Sequence, residues 1–101
     1  MRLVVNVHHK DHRTVVAVCD SAIIGQLFED GELQLDLSGD FYRGDEYEDA
    51  SIVGDLIRNA DSVNLVGDEA IKLGLMEGVI DPDHVRVISG VPHAQAIILH
   101  E

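Results

Sequence analysis

The stretch from residue 62 to residue 88 constrains the fold more than any other part of the sequence. Its first five residues include two valines and a leucine and stop at Gly67, which is typical of a strand that ends in a turn. Carboxylates at Asp68 and Glu69 then favour the first turn of a helix, because the helix dipole is positive at that end. We therefore predict a strand at residues 62–66 and a helix that begins near Gly67.

The same stretch ends in a second predicted strand. Gly78 is placed to end the helix in a left-handed conformation, and Pro82 blocks its continuation before a strand at residues 84–88. The link from Val66 to Val85 is long enough for a crossover between parallel strands. The sequence thus predicts a strand-helix-strand crossover whose two strands lie parallel at the middle of a sheet.

Alternating or continuous apolar residues predict further strands on both sides of this unit. They lie at residues 3–7, 14–19, 32–37 and 94–100. The first two are joined by a polar turn and form a hairpin. The strand at 14–19 is apolar on both faces, so we place it inside the sheet.

Two more helices are predicted between these strands. Asp20 or Ser21 caps a short one that ends near Phe28, and an amphipathic one begins at about Asp49. Residues 38–49 form an acidic surface loop that carries Phe41, Tyr42 and Tyr47. The predicted fold is one α+β domain over residues 1–101, with a mixed β-sheet, a strand-helix-strand crossover, flanking hairpins, and helices packed on the sheet.

Composition limits the cellular setting. At 101 residues with 46% hydrophobic residues, the chain is long enough to bury a core without a covalent staple. Cys19 is its only cysteine, so an intrachain disulfide is impossible and a reducing compartment is indicated. We expect a cytoplasmic protein, since no signal peptide or membrane span is apparent.

The formal charge of −12 opposes binding to bare nucleic acid, because the seven lysines and arginines are scattered and form no basic stripe. Such acidity is typical of proteins adapted to a salty cytoplasm, where ions screen self-repulsion. It also suits a basic partner, and the sequence leaves these two explanations open.

Three segments together resemble a known family. They are Val15-Val16-Ala17-Val18-Cys19-Asp20, Asn64-Leu65-Val66-Gly67 and Gly90-Val91-Pro92-His93-Ala94-Gln95. The chain is similar along nearly its whole length to the small archaeal proteins grouped as domain of unknown function 424. The resemblance implies an archaeal, cytoplasmic protein and a loose association with translation genes. It implies no activity, cofactor or catalytic residue.

Chemical sites are weakly indicated. Cys19 and His93 could form a nucleophile and base, but Asp20 beside the thiol disfavours the thiolate. His8, His9 and His12 cluster at the first turn without a spacing that closes a zinc site. A small enzyme or metal-binding protein using Cys19/His93 or the His8/His12 cluster is therefore the alternative hypothesis, and we predict no metal and no cofactor.

A binding or assembly module is the function that the sequence favours. Residues 90–95 concentrate a glycine, a proline, a histidine and an amide in a predicted turn, and the loop at 38–49 offers aromatic side chains. We expect a protein partner, and the family resemblance points to a translation complex. We expect no binding to free nucleic acid or to a membrane. The candidate binding residues are Gly90, Pro92, His93, Gln95, Asn64, Gly67, Phe41 and Tyr42.

Overall fold

The computed structural model describes residues 1–100, which form eight strands and two α-helices. The strands are β1 Leu3–Lys10, β2 Arg13–Asp20, β3 Leu27–Asp30, β4 Leu33–Asp36, β5 Asp45–Tyr47, β6 Ser62–Val66, β7 Arg86–Ile88 and β8 Val91–Ile97. Helix α1 spans Ala50–Arg58 and helix α2 spans Asp68–Met76. Short 3-10 turns occupy Ser21–Ile23 and Pro82–His84.

Six of the strands form one mixed sheet in the order β5-β1-β2-β6-β8-β7, and β3 pairs with β4 in a separate hairpin. The β1–β2 hairpin turns through Asp11 and His12, which both have positive φ angles, as a two-residue turn between twisted strands requires. Strand β2 lies inside the sheet between β1 and β6. The predicted fold class is confirmed, including the interior position of the second strand.

The predicted strand-helix-strand crossover is present, because β6 and β7 both pair antiparallel with β8 and so run parallel to each other. The prediction that these two strands are neighbours at the middle of the sheet is wrong, since β8 separates them and β7 is an edge strand. Strand β6 and helix α2 lie where the sequence predicts them, and Gly78 follows α2 with a φ of 73°. The parallel partner of β6 is β2, however, while β8 lies between β6 and β7 and pairs antiparallel with both. The length of the link allows β7 to lie next to β6 but does not require it. Strand β8, which follows β7 in a hairpin, takes the position next to β6 instead.

Helices α1 and α2 pack on one face of the six-stranded sheet. Val53 and Ile57 of α1 and Ala70 of α2 are completely buried against alternate residues of the central strands, such as Val63. Side chains of a strand alternate between the two faces of the sheet, so every second side chain of each strand points toward these helices. Neither helix, at nine residues, is long and apolar enough to cross a membrane.

The β3–β4 hairpin covers part of the opposite face. Cys19, Leu37 and Val66 form a second buried cluster there, with Phe28 and Tyr42 packed against it. The predicted short helix up to Phe28 is therefore wrong beyond Ile23. Gly25 has a φ of 87° and the chain continues extended into β3, whose pairing with β4 replaces helical hydrogen bonds.

Residues 90–95 are mostly strand, which corrects the predicted turn. The turn consists only of Ser89 and Gly90, at φ 51° and 80°, and β8 begins at Val91. Pro92 is tolerated in the strand because it lies beside Gly67, just beyond the end of β6, so its missing N–H breaks no ladder hydrogen bond. The carbonyl of Pro92 still accepts from the Gly67 N–H at 2.9 Å.

Candidate functional site

The loop that carries Phe41 is fixed to β1 by hydrogen bonds. The side-chain amide of Asn6 donates to the carbonyls of Asp40 and Phe41, at 3.0 and 3.2 Å. The Nε2–H of His8 donates to the Phe41 carbonyl at 2.8 Å, which fixes the tautomer because a carbonyl only accepts. Backbone anchored in this way limits the positions that its side chains can adopt.

Three aromatic rings meet above these anchors. The rings of His8 and Phe41 stack with centroids 4.6 Å apart, and Phe41 meets the edge of Tyr42 at 5.0 Å. Phe41 remains 44% exposed, whereas Tyr42 is largely covered by the Cys19 cluster. Burial, and then the nearby Cys19, raises the pKa of Tyr42 to about 12. We call His8, Phe41 and Tyr42 the aromatic patch, in which Tyr42 anchors and Phe41 is presented to solvent.

The segment that carries most of the patch, residues 38–49, holds five carboxylates and one arginine. Asp40 is fully exposed at the edge of the patch, and the guanidinium of Arg43 lies 4.0 Å from that carboxylate. Arg2 and Arg58 also lie at carboxylates, so three of the five arginines are already paired, in a chain of net charge −12. The unpaired charge on the surface is therefore mainly carboxylate.

The remaining candidate residues lie along β6 and β8, away from the aromatic patch. Asn64 and Gln95 are directly opposite each other in this strand pair. A cavity of about 540 Å³ is lined by both, and also by Val79 and His84. The sequence pattern missed Val79 and His84. The Asp81-Pro82 pair could have indicated His84, since it starts the 3-10 turn in which His84 and Asp81 cap each other.

His93 is an interior strand residue and not part of an exposed turn. It pairs with Val66 on one side and Arg86 on the other. Its Nε2 atom is buried and has no hydrogen-bond partner within residues 1–100. Burial, and secondarily the charge of Arg86, lowers the pKa of His93, which favours the neutral ring. The expectation that His93 lies on a loop is corrected.

Gly67 lies where the parallel strands β2 and β6 end, and its neighbour there is Asp20. The carboxylate of Asp20 accepts from the backbone N–H of Glu69 at 3.1 Å and of Ala70 at 2.8 Å. A β-carbon on Gly67, whose φ is 106°, would come within 2.3 Å of that carboxyl group. Asp20 therefore caps α2 across the sheet and fills the place where a phosphate would bind.

The capping role of Asp20 has an electrostatic consequence. Burial, with help from the carboxylates of Glu69 and Asp68, raises the pKa of Asp20, while the two N–H donors oppose that shift. Asp20, Gly67, Gly90 and Pro92 surround a cavity of only about 60 Å³. Asp20 therefore joins the end of β2 to the start of α2 in a closely packed contact that leaves little room for a ligand.

The structure separates Cys19 from His93. Cys19 pairs with Val66, and Val66 pairs with His93, so one strand lies between them and places the two backbones about 10 Å apart. Cys19 is fully buried, and its Sγ donates to the Asp20 carbonyl at 3.4 Å. Burial, with Asp20 nearby, raises the pKa of Cys19 to about 12. A thiol in this state is a poor nucleophile.

The histidines at the first turn are divided between the two sheet faces. His8 turns to the aromatic patch, whereas His9 lines a cavity with Ile52 and Leu56 of α1. Within residues 1–100, no three histidine, cysteine or acidic side chains come together as a metal site would require. The helical spacing of His8 and His12 has no meaning in a hairpin.

A protein family and a solved structure each match nearly the whole chain. No curated protein matches it. The crystal structure of an uncharacterized conserved protein from Methanopyrus kandleri superimposes with a TM-score of 0.80 and 22% identity, covering 100% of this chain and 96% of the other, which shows a shared fold. Residues 7–99 match the family described as Protein of unknown function (DUF424), and this chain belongs to that family.

Proposed function

We propose that the protein is a non-enzymatic docking module that binds a basic surface of a protein partner through the aromatic patch. The observation that carries the proposal is the Phe41 ring, which is 44% exposed although His8 and Asn6 hold its backbone in place. An exposed aromatic side chain on a fixed backbone loses little freedom when it is covered. Such residues commonly dominate the free energy of protein binding.

Charge supports a basic partner. Lysine or arginine of the partner can lie over the exposed face of Phe41, where a cation is attracted by the ring, and can share the fully exposed carboxylate of Asp40 with Arg43. The net charge of −12 speeds the encounter with a positive surface and disfavours RNA, whose backbone is itself negative. Among basic assemblies, a translation complex is the first place in which we would look.

The alternative of a small enzyme has less support. Cys19 is buried with a pKa of about 12, and β6 separates it from His93. His8, which the alternative hypothesis would use as a metal ligand, already donates to the Phe41 carbonyl and stacks on the Phe41 ring. These contacts favour a histidine that supports a binding surface.

The test compares capture of partners by two matched variants. Phe41→Ala removes the presented ring, and Ile52→Ala removes a side chain of similar exposure, 47%, from helix α1 on the other side of the sheet. Tyr42→Ala is unsuitable, because Tyr42 packs on the buried Cys19 cluster and its loss would disturb the fold.

In a pull-down from a lysate of the source organism at native salt, wild type and Ile52→Ala should retain the same basic protein. Phe41→Ala should retain it at least about 10-fold more weakly, as expected for a binding hot spot. Circular dichroism should give the same fold for all three proteins. Equal capture by Phe41→Ala, capture of nothing by wild type, or tight binding of free RNA at high salt would refute the proposal.

A further inference from the structure

Strand β8 is longer than its outer neighbour, so part of its edge is open. The register of β7 with β8 runs from Ile88 opposite Val91 to Arg86 opposite His93. The other side of β8 pairs with β6 as far as Ile97. Among residues 1–100, no strand continues beside β8 from Ala94 to Ile97 on the side of β7, where the 3-10 turn Pro82–His84 contacts only part of β8. We call this segment the free edge.

The backbone groups that face this edge can be identified from the register. The Pro92 carbonyl accepts from Gly67, and the Ile98 N–H donates to Asp61, so even-numbered residues of β8 direct their backbone groups toward β6. In an antiparallel strand, alternate residues direct their groups to opposite sides. The N–H and C=O of Gln95 and Ile97 therefore point outward, and four hydrogen-bonding groups are available to a further strand.

The cavity of about 540 Å³ lies next to this part of β8. It is lined by Gln95, Ala96 and Ile97 of β8, by Ser62, Val63 and Asn64 of β6, and by Val79 and His84. Gln95 is exposed, and Ile97 is 77% exposed. We propose that an extended peptide segment of a partner, with basic residues alternating with small apolar ones, adds to the sheet as a strand at the free edge.

The side chains around the edge define the character of this segment. Every second side chain of an added strand would point toward Val79 and Ala96, where the apolar lining suits a small aliphatic group. Carboxylates of Asp81 and Asp83 lie on the exposed 3-10 turn next to His84, and the chain carries a net charge of −12. The cation nearest to the edge, Arg86, is engaged with the Asp83 carbonyl at 3.2 Å.

A second copy of the chain suits this edge poorly. In a symmetric antiparallel pairing centred between Gln95 and Ile97, residues beyond Ile97 of one copy would meet the β7 hairpin of the other. Two chains of charge −12 would also repel each other. A basic peptide has neither obstacle.

The proposal is independent of the aromatic patch and can be tested with synthetic peptides. The probe is a capped heptapeptide of alternating lysine and valine, and its charge control replaces each lysine by glutamate. Two further peptides carry N-methyl groups on the backbone nitrogens of either the lysines or the valines. A strand presents alternate N–H groups to its two edges, so the N–H groups of only one residue type face β8. One of the two N-methylated peptides should therefore lose binding, and the other should still bind.

Binding should be followed by amide resonances of ¹⁵N-labelled protein at low salt. We expect the lysine peptide to protect the Gln95 and Ile97 amides from hydrogen exchange, and the glutamate peptide to bind at least about 10-fold more weakly. Ile97→Pro removes one outward N–H without touching the β6 ladder and should weaken binding about 10-fold, whereas Ile97→Thr keeps that N–H and should bind like wild type. Phe41→Ala should leave peptide binding unchanged, which separates this test from that of the docking proposal.

Several results would overturn the strand-addition proposal. They are the absence of binding by the lysine peptide at millimolar concentration, equal binding by both N-methylated peptides, and binding that leaves the Gln95 and Ile97 amides unprotected. A dimer in sedimentation that Ile97→Pro abolishes would assign the edge to a second copy instead.

Discussion

Replacing Asp20 by alanine should destabilise the protein more than a surface substitution, because a helix loses a cap supplied from another strand. The backbone N–H groups of Glu69 and Ala70 would lose their acceptor at the start of α2. Loss of an N-cap side chain costs about 0.5–2 kcal/mol, and hydrogen bonds to a charged group contribute about 1.5–3 kcal/mol. The burial that raises the pKa of Asp20 offsets part of this gain, so we expect a net loss of about 2 kcal/mol.

That loss corresponds to a decrease in melting temperature of about 10 °C for a domain of this size. Urea denaturation followed by circular dichroism at neutral pH measures it directly. The stability of Asp20→Asn should lie between those of wild type and Asp20→Ala. The single amide oxygen of asparagine can accept only part of the hydrogen bonds that the two carboxylate oxygens accept. A loss of less than about 0.5 kcal/mol in Asp20→Ala would refute the capping argument.

A double-mutant cycle with Gly67 sharpens the same prediction. Gly67→Ala places a β-carbon within 2.3 Å of the Asp20 carboxyl group at a φ of 106°. In the Asp20→Ala background this collision is removed and only the backbone strain remains. Gly67→Ala should therefore lower the free energy of unfolding by about 1–2 kcal/mol less in that background than in the wild type. Additive effects would show that the two residues are not in contact.

Three further predictions concern the buried thiol, salt and metals. Cys19 has an ordinary pKa of 9.0 and a folded pKa of about 12, so its contribution to stability is complete below pH 9 and lost as pH rises from 9 to 12. The free energy of unfolding measured in urea should fall over that range by up to about 1.4 kcal/mol per pH unit because of this thiol, and the free energy of unfolding of Cys19→Ala should fall less. Equal pH dependence of the two proteins would contradict the burial of the thiol. Adding KCl on the order of 1 M should raise the denaturation midpoint by screening the −12 charge, and an unchanged midpoint would remove the salt-adaptation hypothesis. Elemental analysis of the purified protein should find no stoichiometric metal, and one zinc or iron per chain would contradict us.

Local patterns predicted the elements of this fold better than the partners of those elements. The strand at residues 62–66, the helix after it and the interior position of β2 follow from apolar periodicity and a few terminating residues. The parallel partner of β6 depends on which strands compete for its edges, and that competition involves residues far apart in the chain. The residues around Gly25 show the same limit, since pairing with Leu37 overrides the helical pattern that precedes them.

The candidate site was predicted in pieces rather than as a surface. The pairing of Asn64 with Gln95 and the support that His8 gives Phe41 require the register and the loop path, which no local pattern specifies. The sequence pattern predicted Asp20 or Ser21 as the cap of the short helix that follows, whereas the Asp20 side chain makes no capping hydrogen bond there and caps α2 instead. Its acceptor role for α2 depends on β2 and β6 lying side by side, although Asp20 and Glu69 are 49 positions apart in the sequence.

Photo-crosslinking from position 41 tests the docking proposal most directly. A photoreactive benzoylphenylalanine is incorporated at position 41, and separately at position 52, whose native side chain has a similar exposure. Each protein is irradiated in a lysate of the source organism at native salt. Our account predicts one discrete crosslinked species from position 41, containing a basic protein, and none of it from position 52. The same species in equal yield from both positions, or crosslinks from position 41 to RNA alone, would contradict the account.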